Sequence, residues 1–144
     1  MRTTVYRQVQ FAEFELYTHG EINFGRSLQA ENLENYWLES NRTYYGPALT
    51  VDKELASEWS RIPHFYTPFY VYKYATGYSA ATAFAEAILS GKENAVEKYL
   101  GFLKAGGSDY SLNILKNAGV DLTTPQPVAV TLQKFAQKVQ ELKT

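Results

Sequence analysis

The sequence predicts an all-α fold, and three observations carry that prediction. Apolar residues recur three or four apart through nearly every segment. No segment alternates with period two over a convincing length. Gly or Pro stands at most junctions between the helical stretches. No internal repeat, low-complexity tract or linker interrupts the pattern, so residues 1–144 read as a single helical domain of about six or seven helices.

The first helix is expected over 3–19. Val5, Val9, Ala12 and Leu16 form its apolar stripe, Phe11 and Phe14 flank it, and Gly20 is the stop. A second is expected over 27–43, with Ser27 as N-cap and Leu28, Leu33, Tyr36 and Trp37 on one side, ending at Gly46-Pro47. Asp52 opens a short helix with Leu55, Ala56 and Trp59 inward. Ile62 precedes proline, so Arg61–His64 reads as a loop. Thr67 as N-cap and Pro68 at the first helical position open the longest helix, to about Leu89, with Gly91 beyond it. A helix over 92–104 is expected to bury Ala95, Val96, Tyr99, Leu100 and Leu103. It ends at Gly106-Gly107. Ser108-Asp109-Tyr110 begins a short helix through Ala118. The last, about 127–142, turns Val130, Leu132, Phe135, Val139 and Leu142 inward.

Composition removes several function classes. A net charge of −1 gives no basic surplus for nucleic acid or an anionic membrane. With no cysteine there is no disulfide scaffold, thiolate-ligated metal or cysteine nucleophile. The N-terminus shows no signal-peptide apolar core, and the weakly charged stretch 69–89 is too polar for a bilayer span. Aromatics stand out: twelve Tyr, eight Phe and two Trp. Buried phenols need hydrogen-bond partners, so such a protein either keeps them half-exposed or gathers them in a cleft.

Chemistry-bearing motifs are few. The two histidines, His19 and His64, cannot make a His-rich metal site, and no His-Glu-x-x-His, phosphate loop or nucleophile elbow is present. His19 at a helix end suits the helix dipole. His64 is different: Tyr66, Tyr70 and Tyr74 follow it at four-residue intervals, a spacing that projects phenols from one helical face. Phenols stay protonated at neutral pH and can donate to a developing oxyanion, worth roughly 3–4 kcal/mol per donor. The same spacing also describes an aromatic packing stripe. The turn Ala105–Tyr110 either admits an extended ligand against Gly106-Gly107 or is simply a cap. Tyr44-Tyr45-Gly46-Pro47 either lines a groove or is a turn with packed rings. Glu13 and Glu15 diverge on their helix and make a weak acid–base pair.

At these residues the chain resembles a known family. The runs Ile62–Gly77 and Lys104–Tyr110, with Arg7-Gln8, Phe11–Glu15 and Tyr45-Gly46, resemble the C-terminal region of oligoendopeptidase F, almost from end to end of the chain. That family is similar to thimet oligopeptidase: cytoplasmic zinc metallopeptidases, helical around a deep channel that admits short peptides. The resemblance implies zinc held by a His-Glu-x-x-His helix and a later glutamate, with the motif Glu as general base. It also implies a histidine and tyrosines from the C-terminal helices stabilising the oxyanion. On that basis His64 is the transition-state histidine, and Tyr66, Tyr70 and Tyr74 are the oxyanion donors. Tyr72, Gly106, Gly107 and Tyr110 contact substrate. The zinc ligands and general base lie upstream of the matched region. The isolated chain, whether an expression fragment, a truncated reading frame or one piece of a split enzyme, is therefore expected to hold no catalytic zinc and to be inactive alone. Its expected partners are the N-terminal part of the enzyme, short peptides and, through an exposed apolar face, a second copy. The alternative is a noncatalytic helical binding domain that self-associates.

Overall fold

Large aromatic rings anchor two separate clusters of buried side chains. The computed structural model describes residues 1–143, which form two compact units, Met1–Ala75 and the residues from Thr76 onward. Every regular element among the described residues is helical and none is a strand. No helix among them is long and apolar enough to cross a membrane.

In the first unit a π-helical turn, Arg2–Tyr6, runs directly into α1, Arg7–Asn23. The apolar period is the expected one, and the inward face turns toward the expected flanking rings and away from Leu16. Gln10, Phe11, Phe14 and Glu15 are buried, while Leu16 faces solvent. Of the expected stripe Val5 is buried and Val9 and Ala12 are half-buried, while the flanking large rings of Phe11 and Phe14 set the inward face. Gly20 does not stop α1, since a helix tolerates one interior glycine. The stop comes at Gly25, at φ +73°, where Arg26 N–H folds back onto the Glu21 carbonyl at 2.9 Å. α2 spans Ala30–Tyr45 and starts after an extended Gln29 rather than at Ser27. It buries Leu33, Trp37 and Asn41.

Trp37 is 0% exposed. Phe11 stacks on it at 5.7 Å and Phe14 meets it edge-on at 5.1 Å. Leu33, Ile62 and Val71 complete this core. Arg7 closes it from outside: its guanidinium lies 4.6 Å from the Phe11 ring centroid and pairs with Glu58 at 2.6 Å. Glu58 belongs to Lys53–Arg61, a nine-residue 3₁₀ helix where an ordinary short helix is expected. Leu55, Ala56 and Trp59 are its half-buried side, as the spacing predicts.

The Thr67-Pro68 start signal is overridden. A short 3₁₀ turn, Pro63–Tyr66, comes first, and α3 begins only at Tyr72, running to Leu89. Between them Phe69 takes φ +55°, a left-handed conformation that breaks any helix from Thr67.

The second unit packs Phe84 of α3 against Tyr99 and Phe102 of α4 (Ala95–Ala105), each at 5.3 Å. Ala80, Ala118 and Val120 fill the remaining core. α4 starts at Ala95, after Asn94 in the left-handed region, and its rings again choose the face. Val96, Leu100 and Leu103, expected inside, are exposed. α5, Ser111–Asn117, starts three residues later than expected. α6, Gln126–Glu141, buries Pro127 and Thr131, leaving Leu132 exposed, with Leu142 exposed just beyond it. A Lys134–Glu86 ion pair at 2.9 Å ties α6 to α3.

The α5–α6 turn is held by Asp121. Its carboxylate accepts from the Thr123 hydroxyl at 2.6 Å and the Thr123 N–H at 2.9 Å, and pairs with Lys116 at 3.0 Å. These contacts, the Thr123 hydroxyl first, hold its pKa down at about 2. A lowered folded-state pKa stabilises the fold above the ordinary carboxylate range, and that contribution is lost as pH falls toward about 2. Carboxyl NMR titration should show this midpoint, and Thr123→Val should move it upward. In denaturant melts of the first unit, followed by the circular dichroism of its aromatic core, Trp37→Ala should cost about 3–5 kcal/mol.

Candidate functional site

Two buried anchors frame the segment that carries His64. Ile62, extended before Pro63, and Val71, just ahead of α3, both sit in the Trp37 core. The eight residues between them are therefore tethered at both ends. His64 is half-buried and tilts toward Phe11 at 6.4 Å. On its other side the Tyr70 ring lies near-parallel at 6.4 Å, and the Tyr74 ring edge-on at 6.0 Å. Tyr70 and Tyr74 meet edge-to-face at 5.6 Å, and the Lys73 ammonium stands 5.3 Å from the Tyr70 centroid. One imidazole and two phenols are thus gathered on a partly open surface.

The structure does not gather every expected residue. The four-residue ladder fails as a helical face because Tyr66 and Tyr70 precede α3. Tyr66 ends the 3₁₀ turn and is 83% exposed, outside the His64 group. Tyr72 is the exposed first residue of α3. Gly106 caps α4 at φ +53°, followed by Gly107, and exposed Tyr110 precedes α5. These three belong to the second unit. His19 is not a dipole cap: its ring packs on Phe69 at 4.6 Å. The Tyr44 hydroxyl donates to Glu13 at 2.9 Å, tying α2 to α1 rather than lining a groove.

Hydrogen bonding to the Tyr70 hydroxyl, with burial second, raises the Tyr74 phenol above its ordinary pKa. The Tyr74 phenol therefore stays neutral, with a proton to donate, at physiological pH. The sequence reading weighed Glu15 only as a weak acid–base partner of Glu13, and the structure places it elsewhere. Its carboxylate is buried and accepts the Phe69 backbone N–H at 2.9 Å. The signal was present in the spacing, since Glu15 lies four residues after Phe11 on the inward face.

Among the described residues no group of three His, Asp or Glu could hold a metal ion. The donors among the described residues do not make up a catalytic zinc site.

Residues 1–134 match peptidase family M3, and the chain belongs to that family. It is 48% identical over 141 residues to oligopeptidase PepF of Bacillus subtilis, covering 98% of this chain and 21% of that protein. It is 43% identical over 139 residues to group B oligopeptidase PepB of Streptococcus agalactiae, covering 96% and 23% respectively. The crystal structure of oligoendopeptidase-F from Enterococcus faecium superposes with a TM-score of 0.95 at 46% identity, over 99% of this chain and 27% of that one. The chain therefore spans less than a quarter of the length of these two curated relatives.

A raised folded-state pKa at Tyr74 stabilises the fold while the phenol is protonated, and that contribution is lost as pH climbs through its folded value. Tyr70→Phe should lower the Tyr74 titration toward the ordinary phenol range, read from ring-carbon NMR shifts between neutral and alkaline pH.

Proposed function

We propose that this chain is the C-terminal part of the catalytic region of an oligoendopeptidase F-like zinc peptidase, which cleaves internal bonds of short peptides. In this reading the chain supplies a wall of the substrate channel and the donors that stabilise the tetrahedral oxyanion. The metal ligands and the general base belong to polypeptide outside these 144 residues. The observation that carries the proposal is the convergence of His64, Tyr70 and Tyr74, with centroids 5.6–6.4 Å apart, in a chain of peptidase family M3. His64 and the two phenols present N–H and O–H groups to charge that develops on the substrate oxygen. Half-burial of His64 and Tyr74 makes their hydrogen bonds stronger than they are in bulk water. Tyr72, Tyr110 and the Gly106-Gly107 turn are assigned to peptide contact, the glycines through close backbone approach.

Replacing the matching region of the B. subtilis relative with this chain provides a whole enzyme for the test. In that chimera His64→Ala should lower kcat on quenched fluorescent peptides by roughly 10²–10³-fold, and unchanged turnover would overturn the assignment. The isolated chain should bind no stoichiometric zinc and hydrolyse nothing after metal is removed and restored.

A second reading, a noncatalytic helical module that pairs with its own copy, is favoured by one observation. Val96, Leu100 and Leu103 recur at helical spacing on α4 and are all exposed. Light scattering that shows a monomer at every concentration would remove it.

A further inference from the structure

We propose that Glu15 is a positioning residue for the His64–Tyr70–Tyr74 group, holding the left-handed turn at Phe69 that sets where Tyr70 lies. The functional part of this inference rests on the reading above; the geometric part does not. Glu15 is 3% exposed, and one carboxylate oxygen accepts the Phe69 N–H at 2.9 Å across 54 positions of sequence. Its other oxygen is buried with no hydrogen-bond partner among the described residues. A carboxylate so placed is costly to bury, and a merely space-filling position would favour an apolar side chain. What the chain gains there is control of one backbone angle. Phe69 sits at φ +55°, which a bulky residue adopts only when its surroundings over-determine it.

α1 grips that residue twice. Glu15 holds its backbone, and His19, one helical turn further on, packs its ring at 4.6 Å. Without this hold, Thr67 and Pro68 carry the signals to start a helix at once. A helix from Pro68 would place Tyr70 in register with α3. The left-handed turn instead lets Val71 enter the core and lays Tyr70 against both His64 and Tyr74. Glu15 thus acts on the ring group through Phe69 and touches none of the reacting atoms.

Hydrogen exchange and ring-to-ring NMR contacts on the full chain test this directly. In Glu15→Leu the Phe69 amide should exchange roughly tenfold to a hundredfold faster. The Tyr70–Tyr74 and His64–Tyr70 contacts should be lost, while the Trp37 indole resonance stays in place. Glu15→Gln keeps an acceptor oxygen and should retain both the slow amide and the ring contacts. Phe69→Gly added to Glu15→Leu should recover part of the ring contacts, because glycine takes the positive φ freely. Intact ring contacts in Glu15→Leu would overturn the proposal. So would their loss in a folded Glu15→Gln, the variant that decides the question if Glu15→Leu does not fold. In the chimera, Glu15→Leu should lower kcat with little change in KM. If His64→Ala leaves the chimera active while the NMR outcomes hold, the functional reading fails and the positioning geometry stands. If His64→Ala abolishes activity while Glu15→Leu leaves the rings in contact, only the positioning role fails.

Discussion

Ile62 and Val71 must both reach the Trp37 core, and most of what is distinctive in the first unit follows from that constraint. A segment of eight residues without long regular structure is usually free to wander. Here its two ends are fastened to the buried ring cluster of Phe11, Phe14 and Trp37. The segment leaves the core at Ile62, turns through a short 3₁₀ step, and re-enters at Val71 after the left-handed Phe69. His64 and Tyr70 hang from opposite ends of that span and meet between its anchors. A side chain on such a tethered loop keeps its position because moving it would expose buried apolar surface.

Charge reinforces the same arrangement from the side of α1. Arg7 covers the core with its guanidinium over Phe11 while holding Glu58 of the Lys53–Arg61 segment. Glu15, two turns later, holds the Phe69 backbone. One helix thereby positions both the segment before His64 and the segment after it. The pairing is economical in sequence terms, since Arg7, Phe11, Phe14, Glu15 and Thr18 fall on one helical face. Polar and aromatic residues alternate along that face, which is why its inward direction is hard to read by hydrophobicity alone.

The helical character of nearly every segment was legible from periodicity, and so was the end of α3 at Leu89. Phase and boundaries were less so. On α1 and α4 aliphatic and aromatic residues compete for the inward face, and the rings take it: buried Phe11 and Phe14 over Leu16, and half-buried Tyr99 and Phe102 over Val96, Leu100 and Leu103. Larger rings bury more area per residue and interlock edge-to-face, so they prevail when both sets cannot be covered. At Thr67-Pro68 a local capping preference worth about 1 kcal/mol yields to a tertiary hydrogen bond with a carboxylate.

The sequence by itself determined the fold class and the family membership carried by the Ile62–Gly77 and Lys104–Tyr110 runs, and it singled out His64 as a candidate beside a row of phenols. These depend on local spacing and on residue identity, both of which are written along the chain. Which phenols meet the imidazole was decided only by the tertiary structure. Four-residue spacing aligns Tyr66, Tyr70 and Tyr74 only if the helix begins before Tyr66, and a carboxylate 54 positions upstream of Phe69 ensures that it does not. Contacts between residues so distant in sequence follow from packing of the folded chain, and no period of three or four residues records them.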